Sequence, residues 1–231
     1  MSRLKRTYFL PFLLLLFIQQ VSAQERLQDA ELWLKIAAEA KLSDKFEVGL
    51  EEQIRFDQNM TELKSYFSEL SLGYDINDQI AILGRLRYTT RNDNSGATQG
   101  EFNFLRYQLG TRIKHRAGQF RFNHRLLYQR ADRVDIRPNE GDIIVKYIRY
   151  RFKTEYKIKN WSYDPEVSME YFKPFENALD DRPDAIRLNI GTENNIDKIG
   201  TFGIQYRYEW TVNYAFPRAN HIIALSYSYS F

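Results

Sequence analysis

Three histidines, His115, His124 and His221, are the side chains best suited to proton transfer near neutral pH. The chain has no cysteine, so a thiolate nucleophile, a thiolate zinc site and a disulfide scaffold are all excluded. Lipid hydrolysis would need a serine within reach of a histidine, with a third group to orient the ring. No His-x-Ser pair occurs: His124 is followed by Arg125-Leu126, and His221 by Ile222-Ile223. Ser226 comes after His221 on the opposite parity of an alternating segment. Among the acids, Glu51 and Glu52 are adjacent and so point to opposite faces of a strand. Asp180-Asp181 offers two loop carboxylates against the roughly six to eight oxygens of a calcium site. No catalytic, cofactor-binding or metal-ligating set emerges.

The other chemistry is charge on one face. Arg85, Arg87, Arg106, Arg125, Arg149, Arg151, Glu155, Glu170, Arg207 and Glu209 share the polar parity of alternating segments, as do Glu47, Glu51, Arg55, Arg112, Arg121, Lys153, Glu166 and Arg187. Such a face, closed on itself, makes a charged lumen in which both signs are available for pairing. Two roles suit it: a salt-bridge lattice that keeps the interior closed, or a narrow pore whose basic-rich strands favour a small anionic solute.

Period-two alternation defines the elements that carry these residues. In Gly200–Asn213, Phe202, Ile204, Tyr206, Tyr208, Trp210 and Val212 oppose Thr201, Gln205, Arg207, Glu209 and Thr211. Glu31–Leu42 and Phe46–Asp57 alternate likewise, with Glu52 as an exception on the apolar parity. Further segments at Lys64–Tyr74, Gln79–Thr90, Glu101–His115, Gln119–Ala131, Asp142–Lys159, Tyr163–Lys173, Asp184–Asn194 and Asn220–Phe231 bring the count to eleven. Many are twice the five or six residues usual for globular strands, and about 9–11 tilted residues cross a bilayer. Short connections alternate with mostly longer ones, and Pro138, Pro174, Pro183 and Pro217 are expected in the long set. Short turns at one rim and long loops at the other are the asymmetry of outer-membrane barrels.

Residues 1–23 read as a cleaved signal peptide: basic Met1–Arg6, an apolar Tyr8–Ile18 core, and Val21-Ser22-Ala23 before the cut. Three of the 33 basic residues lie there, so residues 24–231 hold 30 basic against 30 acidic groups. A neutral mature chain gives no electrostatic case for nucleic acid. The chain holds 16 Tyr, 16 Phe and 3 Trp, and Phe120, Phe122, Trp161, Tyr163, Tyr227, Tyr229 and Phe231 cluster beside turns or at the chain end, where aromatic girdles meet a bilayer interface.

The ending Ser226-Tyr227-Ser228-Tyr229-Ser230-Phe231 resembles the C-terminal assembly signal of bacterial outer-membrane proteins, with Tyr227, Tyr229 and Phe231 on one parity. Near the start, Leu32-Trp33, Leu42-Ser43-Asp44-Lys45-Phe46 and Glu51-Glu52-Gln53-Ile54-Arg55-Phe56 resemble the Leu-Trp strand, turn and Glu-x-x-x-Arg-Phe strand of domain of unknown function 2490. That resemblance implies an outer-membrane barrel family common in the Bacteroidetes group, without an activity or functional residues to carry over.

The expectation is therefore an all-β, transmembrane, antiparallel up-and-down barrel of about ten to twelve strands, residues 24–231, in the bacterial outer membrane. Its partners would be the lipid bilayer and the outer-membrane assembly machinery, and no cofactor is implied. Eleven strands pose a problem, because Phe231 at the periplasmic rim puts Glu31 at the outer one. Either the first segment lies outside the wall, leaving ten strands, or the count is twelve. A lipid-modifying hydrolase is one alternative. Another is a soluble periplasmic barrel that binds a small ligand; it accounts for the alternation but not for the terminal Phe or the strand length.

Overall fold

The computed structural model describes residues 27–93, 99–134, 136, 144–175 and 183–231. The expected signal peptide and Asp180-Asp181 lie outside these residues. Eleven strands form one closed barrel: β1 (Leu27–Lys41), β2 (Phe46–Asp57), β3 (Glu62–Asp75), β4 (Ile80–Asp93), β5 (Gly100–Ala117), β6 (Phe120–Arg133), β7 (Ile144–Tyr156), β8 (Asp164–Pro174), β9 (Asp184–Ile196), β10 (Gly200–Val212) and β11 (Arg218–Ser230). Each strand pairs antiparallel with its chain neighbours, as period-two segments joined by short links do.

Closure settles the strand count differently from either alternative. An odd number of up-and-down strands starts its first and last strand at the same rim, so their pairing has to be parallel. β1 and β11 do pair in parallel, from Leu27↔Arg218 to Glu39↔Ser230. The count is neither ten nor twelve, and the first segment is a full wall strand. No return across the barrel is needed, because β1 begins at the rim of the 213–217 link.

Local chemistry sets the turns. At 42–45, Ser43 Oγ accepts from the amides of Lys45 (3.3 Å) and Phe46 (3.1 Å). At 76–79, Asn77 Oδ1 accepts from Gln79 and Ile80, both at 2.9 Å. Gly118 (φ 59°) supplies the left-handed residue of the two-residue link between β5 and β6. The rims are less unequal than the sequence suggests. The β7–β8 link, on the tight-turn side, runs from 157 to 163, whereas β2–β3 on the other side needs only 58–61. Pro174, expected in a loop, instead ends β8, where no further ladder bond is required.

The two faces are inverted relative to a water-soluble protein. Forty-one large apolar or aromatic residues are exposed, against eight buried hydrophobic residues of any size among the described residues. The exposed set includes Leu34, Ile36, Leu50, Leu70, Leu86, Leu109, Leu126, Ile190 and Ile204, all on the outer parity. Glu52 is also outside, where Ser68 Oγ donates to its carboxylate at 2.8 Å.

Candidate functional site

The interior is a polar lattice built on two carboxylates. Glu69 of β3 is almost fully buried and accepts from Arg87 Nε at 2.6 Å, and from Arg85 Nη1 and Arg106 Nη2 at 3.1 Å each. Glu170 of β8 accepts from Arg149 Nη2 at 2.9 Å and Arg125 Nη2 at 3.0 Å, and Arg187 Nη1 stands 3.7 Å away. Cross-strand register explains the second hub: Arg112, Arg125, Arg151, Glu170, Arg187 and Glu209 follow one another on β5 to β10 as directly paired residues. Charge-assisted bonds of this kind are short and directional, and they satisfy charges that burial alone would penalise.

Aromatic rings pack against the arginines of these hubs. Trp33 of β1 has the guanidinium of Arg55 at 3.8 Å from its ring centre, Arg207 at 5.0 Å and Arg187 at 5.1 Å. Phe67 lies under Arg87 at 3.3 Å and Arg55 at 5.0 Å, and Phe172 under Arg149 at 4.6 Å and Arg187 at 4.8 Å. Desolvated cation–π contacts can contribute about 2 kcal/mol or more each. The indole N–H of Trp33 donates to Glu31 at 2.7 Å, and Lys64 Nζ reaches the same carboxylate at 2.5 Å.

All ten charged residues singled out from the sequence sit on the inner wall. Arg85, Arg87 and Arg106 meet at Glu69, and Arg125 and Arg149 meet at Glu170. Arg151 lines the same cavity without an ion pair within 4.0 Å among the described residues. Glu155 pairs with Arg121 (2.9 Å), Glu209 accepts from Arg187 Nε (2.7 Å), and Arg207 donates to Gln205 Oε1. The terminal aromatics lie together on the outer face at the tight-turn rim. Tyr227 donates to the carbonyl of Ile199 at 2.7 Å, and the Tyr229 and Phe231 rings are 4.9 Å apart.

Sequence reasoning missed Glu69, Glu31 and the three inner rings. The signal for Glu69 was its parity with Ser65, Phe67 and Ser71, opposite Tyr66, Leu70 and Leu72. The histidines stand on the outer face. His124 Nδ1 is 2.8 Å from the Tyr150 hydroxyl, His221 Nδ1 is 2.7 Å from that of Tyr206, and His115 stacks on Phe122 and His124.

The model of the family described as protein of unknown function (DUF2490) matches residues 30–220. The chain belongs to the DUF2490 family. No curated protein and no solved structure matches it. In this DUF2490 barrel the matched span runs from β1 into β11, so it takes in both hubs and all three inner rings. Chemically, the interior of this DUF2490 barrel offers nine guanidiniums, seven carboxylates and a cavity of about 550 Å³ between them.

Proposed function

We propose that this chain is an integral outer-membrane barrel whose lumen is closed at mid-height, serving as a structural barrel ahead of a general pore. The observation that carries the reading is the inverted distribution of side chains: an apolar outer wall around a charged, aromatic-plugged interior. A strand of 13 residues, such as β10, rises roughly 33 Å at about 3.3 Å per residue and a tilt of about 40°. That height accommodates an apolar band of about 25 Å with an aromatic ring at each edge. Phe46–Tyr74, Phe120–Tyr156 and Phe202–Tyr227 flank the tight-turn rim, and Tyr128–Phe175 and Tyr208–Trp210 lie towards the other. A soluble periplasmic barrel would leave that entire wall in water, far beyond the few hundred Å² that soluble monomers usually expose.

Barrels of about eight strands are filled by side chains, whereas about sixteen leave a water channel. Eleven strands filled by Arg, Glu, Trp and Phe fall on the closed side. The protein should stay in the membrane pellet after alkaline carbonate washing and conduct weakly or not at all in a planar bilayer. Recovery as a detergent-independent periplasmic monomer refutes the membrane reading, and large steady conductance refutes the closed lumen. Phospholipid hydrolysis abolished by His124→Ala or His221→Ala would replace both with an enzyme.

A further inference from the structure

The interior arginines outnumber the carboxylates that hold them. Among the described residues, eleven basic side chains and seven carboxylates line the central cavity, a surplus of four positive charges. The surplus is concentrated on one wall. Arg106, Arg125, Arg149 and Arg151 come from three consecutive strands, β5, β6 and β7, and each has a buried Nε–H without a hydrogen-bond partner. Arg125 is directly paired with Arg112 on one side and with Arg151 on the other. Like charges directly opposed across strands are destabilising unless something of opposite sign lies between them. The nearby carboxylates are shared: a single oxygen of Glu170 accepts from both Arg125 and Arg149, and a single oxygen of Glu69 from both Arg87 and Arg106.

Buried donors without partners have their full desolvation penalty uncompensated. What is unused here is specific in shape. Arg125 donates to Glu170 through Nη2, which leaves its Nε–H without a partner, and Arg151 makes no hydrogen bond among the described residues. A planar guanidinium edge matches two oxygens of one oxyanion, a fit that a spherical halide lacks. The cavity of about 550 Å³ falls within the 300–1,000 Å³ typical of small-molecule sites.

We propose that the β5–β7 wall of the lumen binds a small multivalent oxyanion, with the cavity-lining guanidiniums of Arg151, Arg106, Arg125 and Arg149 as its donors. Phosphate esters and polycarboxylates share this chemistry. The site does not depend on where the barrel resides, because it needs only the closed wall.

The test uses the full mature chain purified in detergent, titrated calorimetrically with inorganic phosphate, pyrophosphate or citrate at ionic strength fixed by potassium chloride. Thermal unfolding followed by circular dichroism runs in parallel. Saturable binding with an upward melting shift is expected for pyrophosphate or citrate, exceeding that for inorganic phosphate. A response to pyrophosphate alone assigns a phosphoryl ligand, and one to citrate alone a polycarboxylate. Arg151→Gln should weaken binding about tenfold or more. Arg151→Lys keeps the charge but loses the fork, and should weaken it nearly as much. Absence of saturable heat with all three anions overturns the proposal. So does equal stabilisation by chloride, or wild-type affinity in a folded Arg151→Gln or Arg151→Lys barrel. Because binding is read in detergent, its failure and that of the membrane reading are separate results.

Discussion

Replacing Glu170 with Gln should be the most damaging single-atom change in this barrel. The side chain is 4% exposed and has three guanidiniums around it, at 2.9, 3.0 and 3.7 Å. Removing one partner of a buried ion pair costs about 3–5 kcal/mol, because the surviving charge is left uncompensated. Gln keeps one acceptor oxygen for Arg125 and Arg149, which places the expected loss near the lower end, about 3 kcal/mol. Arg151→Gln should act in the opposite direction. It removes a guanidinium that has no ion pair within 4.0 Å and that stands between Arg125 on one ladder and an already shared Glu170 on the other, so in anion-free buffer it should be near neutral or stabilising. The double variant should then lose less than Glu170→Gln alone, with a coupling of about 0.5–3 kcal/mol. Denaturant unfolding from vesicles, followed by heat-modifiable gel mobility and by Trp fluorescence, measures all three. If Glu170→Gln stays within about 0.5 kcal/mol of wild type, or if Arg151→Gln is equally damaging, the lattice does not organise the interior.

The remaining expectations use the same preparations. Ile204→Arg, on the outer face, should destabilise by about 2–4 kcal/mol in a bilayer if it lies near the midplane, and Thr211→Arg on the inner parity by much less; equal tolerance would mean the lipid face is misassigned. Trp33→Ala removes the ring between Arg55, Arg187 and Arg207, and single-channel recording should show new small steps; an unchanged trace would locate the closure elsewhere. Deleting Phe231 removes the amide that donates to the carbonyl of Glu39 and the ring beside Tyr229, so fractionation should show a lower membrane level; wild-type levels would refute its assembly role.

Alternation made the wall legible, because a strand's side chains have a period of two and the two faces of this wall differ sharply in polarity. Gly200–Val212 could be divided into faces residue by residue for that reason. Partners were another matter. Parity says that Arg125 and Glu170 look inward, but a sequence does not say that 45 positions of separation bring them to 3.0 Å. The register of two intervening ladders does that. Glu69 escaped notice because its strand carries serines on the inner side, so the face lacks the run of charge seen on β7. Trp33, Phe67 and Phe172 escaped because an inward aromatic in a polar row reads as an irregularity until the arginines above it are placed.

The parallel seam and the convergence of arginines on Trp33 have a common origin in β1. Parallel pairing is slightly weaker per residue than antiparallel, so the seam needs help at its ends. At one rim, Leu27 N–H donates to the carbonyl of Pro217, and the Asp29 carboxylate accepts from the amides of Gln58 and Asn59 at 3.0 and 2.9 Å. Gln58, Asn59 and Met60 hold φ values of 49°, 58° and 68°, left-handed backbone that costs roughly 1–2 kcal/mol per non-glycine residue. Asp29 offsets that strain, and in return the turn fastens β1 to the wall. At the other rim, Phe231 N–H donates to the carbonyl of Glu39 at 2.9 Å. Between these ends, Ile222 of β11 is completely buried beside Trp33, whose ring then takes Arg55 from β2, Arg187 from β9 and Arg207 from β10. An even-stranded barrel lacking β1 would close its wall antiparallel but would lose the ring on which three arginines converge. The odd strand thus makes the parallel pairing in the wall and supplies the ring on which three arginines converge.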